Sequence, residues 1–200
     1  IKEFNPKIVH SWATPTSFLI CFIKFILFTH KFIFIDGSIR QAHYSNGILS
    51  FYRLQRSFIN IMADKIVANS FAGLRCYQIS NKGSVVYNGF DPLRIAVKKA
   101  DSSVKKQTLK LNVIGMVSRF DPIKDYTTFI KAALLVLAKR RDVIFYCIGD
   151  GILLPDTKKQ IPAALSEYFI FTGNVSNVEE YVGNFDIAVL STKSEGISNS

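Results

Sequence analysis

The sequence predicts an α/β protein with mainly parallel sheets covered by helices. Short apolar runs of strand length alternate along the chain with longer segments of helical period, and this pattern is typical of βαβ units. The strand-like runs are apolar nearly throughout, as expected for strands that helices cover on both faces. With 200 residues, of which 48% are hydrophobic, the chain is long enough for one ordinary domain or for parts of two.

The first half of the chain is predicted to contain four strands and three helices. The strands are predicted at 7–12, 30–36, 65–70 and 83–89, and the helices at 15–28, 48–63 and 71–80. The first helix contains the apolar run FLICFIKFILF, which Lys24 interrupts, whereas a membrane span needs about 20 uninterrupted apolar residues. We therefore predict a helix that is buried or lies at an interface.

The second half repeats the alternation after a polar connection. Its strands are predicted at 109–117, 142–149, 168–173 and 186–191, and its helices at 123–140, 156–165 and 177–184. The segment DPLRIAVKKADSSVKKQT between the halves is rich in lysine and contains proline and two consecutive serines, which is typical of a surface connection. We place the boundary there, with one unit at 1–92, a linker at 93–108 and a second unit at 109–200.

Charge and cysteine content limit the function classes. The formal net charge of +10 favours anionic partners such as phosphate-bearing ligands, acidic lipid surfaces or nucleic acid. Nucleic acid is not expected, because the basic clusters are short and fall at predicted loops or helix ends. Cys21, Cys76 and Cys147 each lie in an apolar stretch without zinc or disulfide spacing, which predicts reduced core thiols of a cytoplasmic protein.

A candidate anion site follows the first strand of the second unit, in the segment GMVSRFDPIKDY. Asp121-Pro122 has the form of a helix start, because an N-cap residue precedes proline at the first helical position. A helix N-terminus presents unpaired N–H groups to an anion, and Arg119 and Lys124 would add two cations. The alternative is that both basic side chains simply extend into solvent, as loop residues often do.

Two more turns follow predicted strands at the same edge. The turn in CIGDG contains Gly149 and Gly151, and glycines at a strand end let a ligand or another backbone approach closely. The segment FTGNVSNVEEYV contains Gly173, followed by Ser176 and Glu179 at the spacing of a capping box, which predicts a helix start. Ligands of open α/β sheets bind at this edge.

The last turn, STKSEGISNS, combines a carboxylate with exposed backbone. Glu195 can accept hydrogen bonds from sugar hydroxyls, and Gly196 and Ser198 leave backbone amides accessible to phosphate oxygens. A carboxylate beside a phosphate site favours a ligand that carries both hydroxyls and phosphates. The residues therefore predict a nucleotide-sugar.

The first unit offers weaker signals. His10 ends the strand-like run KIVH, and Arg40 in GSIR follows the next strand in a comparable place. A lone histidine is more often structural or merely exposed, and only its position at a strand end argues for a role. The sequence contains no Gly-x-Ser-x-Gly elbow, no Walker loop and no Asp-x-Asp pair, so no metal or cofactor is expected.

Five segments taken in order carry a family resemblance: ADKIVANSFAGL, VVYNGFD, GMVSRFDPIKDYTTFIKAA, CIGDG and FTGNVSNVEEYVGNFDIAVLSTKSEGISNS. With them the chain resembles the retaining glycosyltransferases of the GT-B fold, in the large group-1 family (classification family four). The resemblance implies an acceptor-side and a nucleotide-sugar-binding Rossmann-like domain. It makes 1–92 the C-terminal half of the former and 109–200 the N-terminal part of the latter, so we expect an internal fragment, with both domains incomplete and inactive by itself.

The resemblance also implies roles for individual residues. Arg119 and Lys124 fall on the family's basic pair, which holds the donor diphosphate and stabilises the leaving group without a metal ion. Glu195 matches the first of two signature glutamates and would hold the hydroxyls of the donor sugar, whereas the second would fall three positions past Ser200. The expected donor-binding residues are Gly149, Gly151, Val178, Gly196, Ser198 and Asn199, with Val178 where the family seats the nucleobase. On the acceptor side the expected residues are His10, which corresponds to a cleft histidine, and Arg40.

The expected enzyme moves a sugar from a nucleotide-sugar to a saccharide or lipid-linked saccharide with retention, in surface polysaccharide or lipopolysaccharide biosynthesis. Two alternatives stay open: a GT-B-fold sugar-nucleotide epimerase or phosphorylase, and a nucleotide-binding module without catalysis. The basic, aromatic first unit favours a cytoplasmic protein in peripheral contact with the acidic inner face of the cell membrane. The competing interpretation makes its apolar runs core elements.

Overall fold

The chain divides into two compact units. The first consists of Ile1–Gly89 with Ser194–Asn199, and the second of Phe90–Lys193 with Ser200. The computed structural model describes residues 3–26, 32–40, 51–89 and 111–197. The linker predicted at 93–108 lies outside the described residues.

The first unit is a four-stranded parallel sheet with helices. The strands pair in the order β1-β2-β3-β4, so spatial order follows chain order. All four strands therefore point their carboxyl ends to one edge of the sheet. The elements are β1 (Ile8–Ser11), α1 (Thr14–Ile26), β2 (Ile33–Ile39), α2 (Phe51–Met62), β3 (Lys65–Ala68), α3 (Phe71–Cys76) and β4 (Gly83–Val85).

A buried ion pair lies inside the first unit, between Arg56 of α2 and Asp36 of β2. Their exposed fractions are 1% and 0%. Asp36 also accepts a hydrogen bond from Ser17 Oγ at 2.6 Å, and Arg56 donates to Ser38 Oγ at 2.9 Å and to Asn60 Oδ1 at 2.8 Å. Because buried charges are costly unless they are paired and hydrogen-bonded, this network holds the carboxyl half of β2 in one arrangement.

The second unit is also a four-stranded parallel sheet, in the order β7-β6-β5-β8. Its core includes Met116, Phe145 and Ile130, all nearly or fully buried. Phe185 lies against Gly115, where a Cβ would come within 2.0 Å of its ring. The elements are β5 (Asn112–Val117), α4 (Tyr126–Leu137), β6 (Val143–Ile148), α5 (Leu154–Lys159), a 3-10 helix (Ala163–Tyr168), β7 (Phe169–Gly173), α6 (Val178–Val182) and β8 (Ile187–Ala188).

The structure confirms the predicted alternation of elements and corrects several bounds. The last predicted strand, 186–191, is wrong in length and burial: β8 has two residues and Ile187 is 54% exposed, because β8 lies at the edge of the described sheet and pairs only with β5. The strand predicted at 83–89 ends at Val85. The helix predicted at 156–165 is α5 followed by a separate 3-10 helix, since Pro162 follows α5 and cannot continue it.

The cysteines are free, as predicted. Cys21 and Cys147 are buried, whereas Cys76 is only half-buried. Burial raises the pKa of the Cys147 thiol to about 12. Burial, reinforced by the nearby Asp36 carboxylate, raises the pKa of Cys21 to about 11. These thiols are therefore protonated and unreactive at neutral pH.

Candidate functional site

The carboxyl edge of the second sheet contains a topological switch point. The chain passes from β5 outward through β6 and β7, and then returns to the other side of β5 as β8. The direction of winding therefore reverses between β5 and β8. Open α/β sheets bind ligands in the crevice at such a reversal, so the loops after β5 and β8 are the first candidates.

The loop after β5 is organised by Asp121. Its Oδ1 accepts hydrogen bonds from the backbone N–H groups of Ile123 and Lys124, both at 3.0 Å. Its Oδ2 lies 3.0 Å from Nη2 of Arg119, whose side chain is 79% exposed. The turn thus positions one highly exposed guanidinium and the backbone of Lys124 next to each other at the sheet edge.

The predicted helix start at Asp121-Pro122 is wrong. Helix α4 begins at Tyr126, and its N-cap is Asp125, which accepts hydrogen bonds from the N–H of Thr128 at 3.2 Å and its hydroxyl at 2.7 Å. Asp121 instead bonds amides two and three residues ahead, as aspartates in turns commonly do. Arg119 and Lys124 therefore lie in a turn before the helix, and no helix N-terminus starts between them.

The segments 123–125 and 191–193 pair with each other. Lys124 lies opposite Thr192 in an antiparallel bridge. Backbone hydrogen bonds on either side of this bridge measure 2.9 and 3.0 Å. The structure thus joins the turn of Lys124 to the segment that follows β8 and ends directly before Ser194.

Gly149 and Gly151 make room for another backbone. Gly149 has φ +130°, and a Cβ on it would lie 2.1 Å from the carbonyl oxygen of Ser118. At Gly151 a Cβ would lie 2.5 Å from the carbonyl oxygen of Phe120. Of the two predicted uses of these glycines, the structure shows the close approach of the turn after β6 to the loop that contains Arg119.

Tyr126 connects the loop after β5 with the end of β6, and this role was not predicted from the sequence. Its hydroxyl donates to the carbonyl oxygens of Ser118 at 3.1 Å and Ile148 at 3.3 Å. Its ring stacks on Phe120 with 3.7 Å between centroids. Burial raises the pKa of the Tyr126 hydroxyl. Helical period predicts that this position faces the core, but no local pattern indicates partners 8 and 22 residues away.

A cavity of about 290 Å³ opens beside this loop. Lys124 and Lys193 border it together with Asp121, Asp125 and Asp156. The mixture of two ammonium groups and three carboxylates does not by itself define an anion site. The exposed edge with Arg119 is the better candidate for a diphosphate.

The other predicted donor residues lie in several places. Val178 is the first residue of α6, and the N-cap of α6 is Asn177, not Ser176 as the capping-box spacing predicted. Glu195 and Gly196 belong to the segment that groups with the first unit. A Cβ at Gly196 would lie 2.3 Å from Oδ1 of Asn69, so glycine is required there. Ser198 and Asn199 lie outside the described residues.

His10 and Arg40 lie at the carboxyl edge of the first sheet, and both are exposed. The rings of His10 and Trp12 are 4.5 Å apart, and the guanidinium of Arg40 lies 5.9 Å from the centre of the Trp12 ring. The structure therefore brings the two predicted acceptor-side residues together around Trp12, which no sequence pattern indicated.

The described parts of the chain contain neither a metal-binding cluster nor a membrane-spanning helix. Among residues 3–26, 32–40, 51–89 and 111–197, no group of three or more His, Cys, Asp or Glu side chains is placed to hold a metal ion. None of the helices in these parts of the chain is both long and apolar enough to cross a membrane.

Sequence comparison connects the second unit to a known class. Residues 111–200 match the family model of the group 1 glycosyl transferases. This range begins one residue before β5 and covers both the loop of Arg119 and the turn of Glu195. No individual curated protein matches the chain by sequence.

Solved structures extend the likeness to both units. TarM from S. aureus, in complex with fondaparinux, alpha-GlcNAc-glycerol and UDP, has 18% identity and a TM-score of 0.71 over 97% of this chain and 38% of that chain. HepE from Anabaena, in complex with UDP, has 18% identity and a TM-score of 0.64 over 91% of this chain and 52% of that chain. The lipopolysaccharide outer core galactosyltransferase WaaB has 18% identity and a TM-score of 0.63 over 96% of this chain and 51% of that chain. The chain thus spans 38% to 52% of their lengths, and the likeness shows the fold: parts of two Rossmann-like units of the GT-B type.

Proposed function

We propose that the protein is a retaining glycosyltransferase that transfers a sugar from a nucleotide-sugar to a saccharide or a lipid-linked saccharide. The observation that carries the proposal is the loop after β5, where Arg119 and Lys124 share one turn at the switch point. This loop lies inside the range that matches the group 1 family model. A GT-B fold alone would not define a reaction, because one fold hosts many functions.

The proposed chemistry assigns charge stabilisation to the basic pair. As the bond between the anomeric carbon and the diphosphate breaks, negative charge grows on the departing oxygen. Arg119 and Lys124 stabilise that charge, and oriented cations are most effective where charge develops in the transition state. Glu195 accepts hydrogen bonds from the donor sugar, and the acceptor hydroxyl attacks the anomeric carbon from the same face and passes its proton to the departing phosphate oxygen. Two protein cations supply the positive charge, so this proposal includes no metal.

The compared structures support a class of donor and acceptor. TarM and HepE hold UDP in their crystals, and WaaB is a lipopolysaccharide galactosyltransferase. We infer that this protein uses a nucleoside-diphosphate sugar and takes part in the assembly of surface polysaccharide or lipopolysaccharide. UDP is the first nucleotide to test.

We further infer peripheral contact with the acidic inner face of the cell membrane from the cytoplasm. Helices α1 and α2 contain no aspartate or glutamate, and Arg53 of α2 is partly exposed. The other two basic side chains of these helices are paired within the first unit, Arg56 with Asp36 and Lys24 with Asp64. Exposed apolar side chains beside basic ones are typical of helices that lie on anionic lipid. The exposed apolar residues on these helices include Leu19, Phe22, Phe25, Ile26, Phe51, Leu54 and Ile61.

Calorimetry tests whether Arg119 and Lys124 bind the diphosphate. Arg119→Ala and Lys124→Ala should each weaken UDP binding about tenfold, which corresponds to one charge-assisted hydrogen bond of about 1.4 kcal/mol. Lys139→Ala, which removes an exposed lysine beyond the other end of α4, is the matched control and should bind as the parent does. If both loop variants keep the parent affinity, the assignment of the pair is wrong.

A donor screen separates the reaction classes. Free nucleotide should be released from a nucleotide-sugar in quantity only when a saccharide acceptor is present. An epimerase would act on the sugar-nucleotide without a saccharide acceptor, and a phosphorylase would require inorganic phosphate. A binding module would take up nucleotide and give no product in any arm.

A further inference from the structure

The carboxyl edge of the first sheet contains a layered group of side chains, which we call the Trp12 stack: Gly37, His10, Trp12 and Arg40. Trp12 is the only tryptophan in the chain and is 59% exposed. A large aromatic ring that is held in place and yet open to solvent at the ligand-binding edge of a parallel sheet is a candidate contact surface.

The lower layer of the stack consists of Gly37 and His10, and it forms because Gly37 has no side chain. Gly37 is buried, and a Cβ on it would lie 2.7 Å from Nε2 of His10. The imidazole therefore occupies the space that any other residue at 37 would fill. Gly37 follows Asp36, which the buried Arg56 holds, so the position under His10 is rigidly supported.

The upper layer is held from a different strand. Trp12 lies 4.5 Å from the His10 ring with 37° between the planes, and Arg40 lies 5.9 Å from its centre. The carbonyl oxygen of Arg40 accepts a hydrogen bond from Nδ2 of Asn69 at 3.1 Å. Asn69 is 8% exposed, and its Oδ1 faces Gly196, where a Cβ would lie 2.3 Å away. The role of Asn69 in the stack is therefore to fix the backbone of Arg40.

These groups together match one kind of ligand. The apolar face of a pyranose ring packs on an indole ring, a histidine bonds its hydroxyls, and a guanidinium recognises a carboxylate or phosphate. We propose that the Trp12 stack binds a pyranose that carries an anionic substituent. The inference deepens the proposed function, since the stack would then receive an acidic acceptor saccharide.

Intrinsic fluorescence tests the proposal directly, because Trp12 is the only tryptophan of this chain and the emission lost in Trp12→Phe identifies its contribution. The protein is titrated with glucose 6-phosphate, glucuronic acid, glucose and inorganic phosphate. Emission should change with both charged sugars at concentrations about 1.5-fold to fivefold below those needed for glucose. Inorganic phosphate should produce no change, and the two charged sugars distinguish phosphate from carboxylate as the preferred substituent.

Substitutions at Arg40 and Trp12 distinguish the contribution of the Arg40 charge to sugar binding from that of the Trp12 ring. Arg40→Gln should reduce the affinity for both charged sugars to that for glucose, whereas Arg75→Gln, at an exposed arginine on α3, should leave it unchanged. Trp12→Ala should abolish binding measured by ligand-observed NMR, and Trp12→Phe should keep most of it. Trp12→Phe also shows that a loss in the alanine variant comes from the ring and not from misfolding.

Several results would overturn the proposal. They are no emission change with either charged sugar, an equal response to charged and neutral sugars, or full affinity in Arg40→Gln. Failure here is distinguishable from failure of the transferase assignment, because UDP binding depends on Arg119 and should be intact in every Trp12 and Arg40 variant. Conversely, sugar binding without UDP binding would support the ligand proposed for the Trp12 stack and contradict the proposed transferase function.

Discussion

Arg119 and Asp121 form an ion pair with 3.0 Å between Nη2 and Oδ2, at the turn proposed to bind a diphosphate. The carboxylate therefore competes with the ligand for the guanidinium. Asp121→Asn keeps an oxygen for the amides of Ile123 and Lys124 but removes the competing charge. Exposed ion pairs contribute about 0.2–1 kcal/mol, so UDP affinity should rise by roughly 1.5-fold to fivefold.

Asp121→Ala is the contrasting variant. It removes the competing charge and also the acceptor that holds the turn, so calorimetry should show weaker UDP binding than in Asp121→Asn. If the two variants bind equally well, the side-chain hydrogen bonds of Asp121 have no part in positioning the basic pair.

Gly149 and Gly173 provide a matched test of backbone packing. Both have positive φ, but a Cβ at Gly149 meets the Ser118 carbonyl oxygen at 2.1 Å, whereas none of the described atoms lies within 4 Å of a Cβ at Gly173. Gly173→Ala should cost about 1 kcal/mol of unfolding free energy from the backbone conformation alone. Gly149→Ala should cost about 2–5 kcal/mol, because the loops must also separate. Urea unfolding measures both, and similar losses would contradict the close approach.

The Arg56–Asp36 pair should behave as a buried unit. Arg56→Met leaves a buried carboxylate without its partner, and we expect a loss of about 3–5 kcal/mol in unfolding free energy. Combining it with Asp36→Asn should recover part of that loss, so the two substitutions should be strongly non-additive. Arg75→Ala, at an exposed arginine, should change stability by less than about 0.5 kcal/mol. Additive effects in urea unfolding would show that the pair is not coupled.

The role of Asp125 as the N-cap of α4 predicts that the free energy of unfolding depends on pH. Hydrogen bonds from the hydroxyl and N–H of Thr128 lower the pKa of Asp125 in the folded protein. A lowered folded pKa contributes stability that is complete above the unfolded pKa, near 4, and is lost as the pH falls through the folded value. Asp125→Ala should therefore cost about 1 kcal/mol at pH 7, and the difference from the parent should shrink below pH 4.

The control for this experiment is Glu167→Ala, which removes an exposed carboxylate from the 3-10 helix. Its effect on the free energy of unfolding should stay below about 0.5 kcal/mol at pH 7. A difference between parent and Asp125→Ala that is the same at pH 7 and pH 3 would exclude the titration of this cap.

Much of the fold followed from the sequence because its signals are local. Alternating apolar runs and helical periods predicted the strands and helices, and strand-end position selected Arg119 and Lys124. The start of α4 was mispredicted, because two aspartates four residues apart both resemble caps and only the packing of Tyr126 decides between them. Trp12 was missed, because its neighbours His10 and Arg40 come from two different strands.

By itself, the sequence determined the α/β class, the order of the elements and the clustering of polar turns at strand ends, since these depend on residues close together in the chain. The tertiary structure alone decided which turns meet. It paired 123–125 with 191–193, set Gly149 against Ser118, and placed Gly37 beneath His10. These contacts depend on strand order and register, which join residues far apart in the chain and leave no periodic trace in it.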